Sequence, residues 1–138
     1  MNSPECQSAD IRKVCYLNTD LELVSKSDLT PLVSVLEEKG LCVLHCAQYD
    51  NLWYATLEAE GQYEEPEATI AEMLTVIESL DEFSRAIWDG CVKREFDIGY
   101  ECGQIPKQLK QTLSEEVLKR MTVHNASLCI TLYPAFSS

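Results

Sequence analysis

Two kinds of segment alternate along this chain, and their order limits the fold more than any other feature. Segments with apolar residues at every second position, or short apolar runs bounded by turn residues, read as strands; apolar residues three and four apart read as helices. Val14 to Val24 has β-rich ends and alternates through Asp20, Leu21, Glu22 and Leu23. Thr30-Pro31 opens a helix, because the residue before proline is pushed out of the helical region while proline suits the first helical position. Leu32, Val35 and Leu36 form its buried stripe, and Gly40 is placed to close it in a left-handed conformation. Leu41 to Ala47 is a nearly continuous apolar run, Tyr49-Asp50-Asn51 supplies turn chemistry, and Leu52 to Ala59 reads as the returning arm of an antiparallel hairpin.

The charged loop Gly61 to Glu67 leads into a helical pattern with Ile70, Met73, Leu74, Ile77, Leu80, Phe83 and Ile87 on one side. Ser79-Leu80-Asp81-Glu82 matches a capping box, so a break into two helices is expected near Ser79, before Gly90. Arg94 to Cys102 alternates cleanly: Phe96, Ile98, Tyr100 and Cys102 on one face, Glu95, Asp97, Gly99 and Glu101 on the other. After a loop around Gly103 and Pro106 comes a short helix capped by Ser114, with Glu115 and Glu116 in its first turn and Lys119 and Arg120 near its end, matching the helix dipole. Leu113 is placed to staple onto Leu118. Asn125 ends this helix, and Ser127 to Tyr133 forms the last strand before Pro134.

The order is β-α-β-β-α-β-α-β, with the long helix divided. It predicts an α+β fold: a single domain with a mostly antiparallel sheet and helices packed on one face, built from ferredoxin-like elements. Residues 1–12 read as a flexible polar leader and residues 13–138 as the domain. LTPLVSVLEEKG running into LCVLHC echoes LSEEVLKRMTVHN running into SLCITLY, a weak internal two-fold.

The chain of 138 residues carries a formal net charge of −12, placed unevenly. Residues 37–90 hold 11 excess acids, residues 1–36 hold 2, and residues 91–138 have one excess base. With only 11 Lys and Arg, the chain is poorly equipped to neutralise phosphates, so neither nucleic acid nor an anionic membrane is expected as a partner. A macromolecular partner is expected to be basic. The hydrophobic residues fall in periodic segments rather than a membrane-length run, and MNSPECQSADIRK has no apolar core to serve as a secretory signal. Seven cysteines, an odd number lying mostly within apolar segments, read as core-filling free thiols in a reducing, cytoplasmic setting.

The tail FDIGYECG, followed by LSEEVLKRM and then ASLCITLYP, carries an alternating "DIG" strand, an LS-initiated helix and a final strand ending in tyrosine. Over roughly residues 96–134 it resembles the bacterial domain-of-unknown-function family 4279. The front half fits only in its strand-helix order. The resemblance implies the strand-helix-strand packing unit and transfers no catalytic residues. A role as an immunity protein beside a bacterial toxin is consistent with it and with the acidity.

Three sets of residues are candidate sites. Glu58, Glu60, Glu64, Glu65 and Glu67 cluster where the hairpin runs into the long helix, with Trp53, Tyr54, Tyr63 and Trp88 as aromatic anchors of a docking face for a basic protein. The bland reading is a solvated face, with Arg85 paired to Asp81 and Asp89 one turn away. Asp20 and Glu22 on the first strand and Asp97 and Glu101 on the fourth could converge on a small ligand, a divalent cation or an acid/base pair if the strands are neighbours; the bland reading is polar alternation on an open sheet. Cys42, His45 and Cys46 spell C-x-x-H-C, but on a regular strand the two cysteines share a face about 13 Å apart while His45 points the other way, so no zinc site is expected.

No phosphate loop, dinucleotide fingerprint, nucleophile elbow or zinc-protease motif is present. His124, at a helix end, reads as a dipole partner. The expectation is a non-enzymatic cytoplasmic protein with no cofactor and no metal that captures a basic protein, as an immunity protein does. The alternative is a ligand- or cation-binding domain, possible as an enzyme, that uses the sheet-face carboxylates.

Overall fold

Strand β1 (Cys15–Ser25) is central to a five-stranded sheet whose order is β2-β3-β1-β4-β5 in the computed structural model, which describes residues 13–61, 63–104 and 107–135. The expected leader, Cys6 and Pro106 lie outside the described residues. The strands are β2 (Leu41–Tyr49), β3 (Leu52–Ala59), β4 (Lys93–Glu101) and β5 (Ser127–Tyr133). Helix α1 (Thr30–Glu38) links β1 to β2; α2 (Pro66–Glu78) and α3 (Glu82–Asp89) link β3 to β4; α4 (Glu115–Val123) links β4 to β5. β1 pairs antiparallel with β3 and β4, β2 pairs antiparallel with β3, and β4 pairs parallel with β5. The first four strands therefore have the ferredoxin-like order, and α4 with β5 adds one parallel crossover.

Local chemistry accounts for the element boundaries. Asp50 and Asn51 both have positive φ, the requirement of a two-residue hairpin turn of the mirror-image type, and Gly40 at φ +109 ends α1 as its sequence position predicts. Asn125 at φ 55 follows α4, and the Ser114 hydroxyl caps that helix by accepting the Val117 N–H at 3.2 Å. The break after Ser79 is present, but its cap is Asp81 rather than Ser79. The Asp81 carboxylate accepts the Ser84 N–H at 2.7 Å, whereas the Ser79 hydroxyl turns back to the Val76 carbonyl. Leu113 packs on the core while Leu118 stays exposed, so the expected staple does not shield Leu118.

One sheet face is apolar and lies under the helices. Leu21 and Leu23 of β1, Ala55 and Leu57 of β3, and Phe96 and Ile98 of β4 meet Leu32 and Leu36 of α1, Ile70, Met73, Leu74 and Ile77 of α2, Trp88 of α3, and Val117 and Met121 of α4. Side chains alternate across a strand, so the same register directs the intervening polar residues to the opposite, uncovered face. The internal echo fails in orientation: β2 and β5 occupy opposite edges, but one is antiparallel and the other parallel to its neighbour.

Cysteine pairing and the phase of β2 both depart from the sequence expectation. Cys15 is disulfide-bonded, whereas Cys42, Cys46, Cys91, Cys102 and Cys129 are free. A register shift between Val43 and His45 inserts one residue into β2. This bulge turns His45 to the open face, where it sits across from Thr56 in the row next to Cys42 and Glu58, and sends Cys46 to the helical side opposite Ala55. Strand alternation resumes out of phase, which a regular strand could not do.

Candidate functional site

Register on the uncovered face builds a row of acids. Cys42 faces Glu58, Glu58 faces Asp20, Asp20 faces Asp97, and Asp97 faces Cys129 across all five strands. The next row runs His45, Thr56, Glu22, Glu95, Ser127. Directly opposed residues hold their Cβ atoms about 5 Å apart, a distance at which like charges repel. Asp20 thus has a carboxylate on each side and Glu22 on its own strand. Its carboxyl is pushed from 3.8 to about 6, first by burial and then by the charges of Glu22, Glu58 and Asp97.

Neutral donors orient these groups without cancelling their charge. Asn18 Nδ2 donates to Asp20 Oδ1 at 3.1 Å, Thr56 Oγ1 to Glu22 Oε1 at 3.1 Å, and Thr131 Oγ1 to Asp97 Oδ1 at 2.7 Å. Lys93 reaches Glu95 Oε1 at 3.2 Å at the margin of the array. Gly99 keeps the Asn18 end open: a Cβ there would meet Asn18 Oδ1 at 3.1 Å and the Tyr133 ring at 3.3 Å. At one corner of the same face His45 stacks on Tyr49, centroids 5.8 Å apart, and Tyr49 leans on Tyr54 at 5.9 Å. Fixed carboxylate oxygens beside open aromatic faces suit guanidinium and ammonium groups.

The structure brings together Asp20, Glu22 and Asp97 of the sheet-face set and adds Glu58 and Glu95. Glu101 is separate, buried opposite Cys15 beyond a bulge in β1 between Tyr16 and Asn18. Of the hairpin-to-helix set, Glu60, Glu64 and Glu65 are exposed, and Glu58 belongs to the sheet row. Glu67 is taken up internally, accepting the Ser114 backbone N–H, and Tyr63 donates to Glu72. Tyr54 stands on the open face; Trp53, one residue away, packs on the core. Trp88 cannot anchor a partner, because it is fully buried and its indole N–H donates to the His124 carbonyl at 3.0 Å.

Further polar groups serve the scaffold. Arg85 does not take up its helical neighbours Asp81 and Asp89 as its main contacts; it reaches the Ile77 carbonyl at 2.7 Å and His124 Nδ1 at 3.0 Å. Burial and Arg85 hold the His124 pKa below its ordinary value, so at neutral pH it meets the α4 terminus as an uncharged ring rather than a dipole-matching cation. Arg120 binds both oxygens of Glu78 at 2.8 and 2.9 Å, tying α4 to α2. Burial raises the Cys91 thiol to about 11, a core group rather than a nucleophile. Among the described residues, no three His, Cys, Asp or Glu are grouped to hold a metal ion.

Sequence reasoning set Glu95 on the same outward face as Asp97 but left it out of the candidate site, and it missed His45, Tyr49 and the donors Asn18, Thr56 and Thr131 as parts of this face. Strand alternation was the available signal for Glu95, which shares the phase of Asp97. Nothing local signalled the bulge that brings His45 across. Comparison with family models, characterised proteins and solved structures yields no match.

Proposed function

We propose that this protein is a non-enzymatic binding module that captures a basic protein, in the manner of a toxin-neutralising immunity protein. The observation that carries the reading is Asp20 held between Glu58 and Asp97, with Glu22 and Glu95 in the adjoining row. The fold forces these acids together, and a Lys or Arg from a partner relieves the repulsion. Exposed Glu60, Glu64 and Glu65 extend the negative field beyond the sheet and steer the approach, while Tyr54 and Tyr49 supply contact area. The reading places the protein in the cytoplasm, where the five free thiols among the described residues are stable and Cys15 is the exception. No described helix is long and apolar enough to cross a membrane.

The test is affinity capture by the full chain from its native lysate at low and moderate salt, with mass spectrometry of the eluate. A basic protein recovered stoichiometrically by the wild type, and lost with Glu58→Lys and Asp97→Lys, supports the reading. Recovery unchanged by those substitutions and by Glu64→Lys with Glu65→Lys refutes it.

The same crowded row favours a second reading, a domain that binds a small cationic ligand through Asp20, Glu22 and Asp97. With no described metal grouping, the fitting ligand is an organic cation such as a polyamine. A melting temperature unmoved by millimolar spermidine counts against it, since a ligand bound only by the folded state raises apparent stability.

A further inference from the structure

We infer that the outer edge of β5 is a self-pairing surface, on which a second copy of this chain adds its own β5 antiparallel and joins the two sheets into one. β5 is a sheet-edge strand, so its outer backbone groups have no strand neighbour among the described residues. On its helical face Leu128, Ile130 and Leu132 are 40%, 59% and 62% exposed, although the same face of β4 is buried at Phe96 and Ile98. An exposed apolar edge strand invites strand addition, and folds usually blunt such edges with charge, proline or a bulge. β5, SLCITLY, has no charged residue, no proline and no register shift against β4. The opposite edge strand is interrupted by the bulge at Leu44.

Charge and sequence symmetry select the occupant. A basic partner gains nothing electrostatic from an uncharged strand, and two chains of net charge −12 repel least where neither carries charge. The strand is also self-complementary about Ile130. A two-fold axis there sets Ile130 against Ile130 and Leu128 against Leu132 on one face, with Cys129 against Thr131 on the other. One patch thus serves both copies, as an isologous interface requires. Residues 1–12 make a poor alternative cover, because Met1 and Ile11 are their only large aliphatic side chains.

Sedimentation velocity of the full chain from about 1 to 200 μM tests the inference, and the expected result is a concentration-dependent doubling of mass. Ile130→Lys, which opposes like charges on the axis, should weaken the dimer by at least about tenfold. Leu128→Lys and Leu132→Glu should each dissociate it alone, yet form a heterodimer when mixed, because this register sets position 128 of one copy against position 132 of the other. Circular dichroism confirms that each variant is folded. A wild type monomeric throughout the range, a dimer indifferent to Ile130→Lys, or single variants that fail to associate on mixing would each overturn the proposal. So would a dimer that appears only after residues 1–12 are removed, which would make the leader the occupant.

Discussion

Asp20 is the residue at which the sheet is most strained electrostatically. Its folded-state pKa, about 6, lies above the usual 3.8, so between those values the folded chain holds a proton that the unfolded chain has released. Its contribution to stability is therefore complete below about pH 4 and is lost as pH rises through about 6. Asp20→Asn removes that loss. The variant should be more stable than the wild type at pH 7 by on the order of 1 kcal/mol, a figure reduced for solvent screening of a half-exposed group, and the gain should vanish at pH 4. Urea midpoints at the two pH values check this: no gain at pH 7 would show that the row is screened, and equal gains at both would show that they do not come from the charge of Asp20. Gly99 offers a second residue-scale test. Its strand backbone would tolerate alanine, but the added methyl would crowd Asn18 and Tyr133. Gly99→Ala should cost about 1–2 kcal/mol, with a companion Tyr133→Ala change recovering part of it in a double-mutant cycle.

Element boundaries were legible wherever local chemistry decides them. The Asp50-Asn51 turn, the closing Gly40 and Asn125, and the Ser114 cap lie where their residue types require. The expected capping box at Ser79 missed by two residues because Asp81 competes for the same turn and its carboxylate is the stronger acceptor. The β2 bulge left no local trace, so the phase of Cys42, His45 and Cys46 could not be read from alternation. Trp88 was similarly opaque. It stands among charged residues in sequence, and only the packing of α3 against α1 and the hydrogen bond to the turn after α4 show that it is core. Arg94 holds that junction, with Nη1 donating to the Trp88 carbonyl at 2.9 Å and to the Cys91 carbonyl at 2.7 Å, and Nε to the Asn125 carbonyl at 3.0 Å. Three carbonyls in two separate segments lose a shared donor in Arg94→Ala, so a cost of about 2–3 kcal/mol in chemical denaturation is expected. Arg94→Lys should recover less than half, because an ammonium lacks the planar fork. A loss below about 0.5 kcal/mol would mean that water replaces the guanidinium.

At the scale of the molecule, the charge count and the sheet order tell different parts of the story. Sequence showed that the middle of the chain is acidic, but it could not show that Glu58 of that acidic region and Asp97 of β4 flank Asp20 from either side. That juxtaposition depends on β1 lying between β3 and β4, a pairing of segments far apart in sequence. The resulting row has the same sign as the net charge of −12, so the native state carries both a general and a local repulsion that the expanded chain relieves. Salt weakens both, with the Debye length falling from about 30 Å at 0.01 M to about 10 Å at 0.1 M. Raising potassium chloride from 10 to 200 mM should therefore lift the melting temperature by about 3–6 °C, the shift expected for roughly 1 kcal/mol in a domain of this size. Most of that lift should disappear in the double variant Asp20→Asn, Glu58→Gln if the row is its source, and persist if the net charge is. A melting temperature that falls with salt would instead mean that favourable pairs such as Arg120 with Glu78 dominate. It would also remove the electrostatic reason for the open face to seek a basic partner.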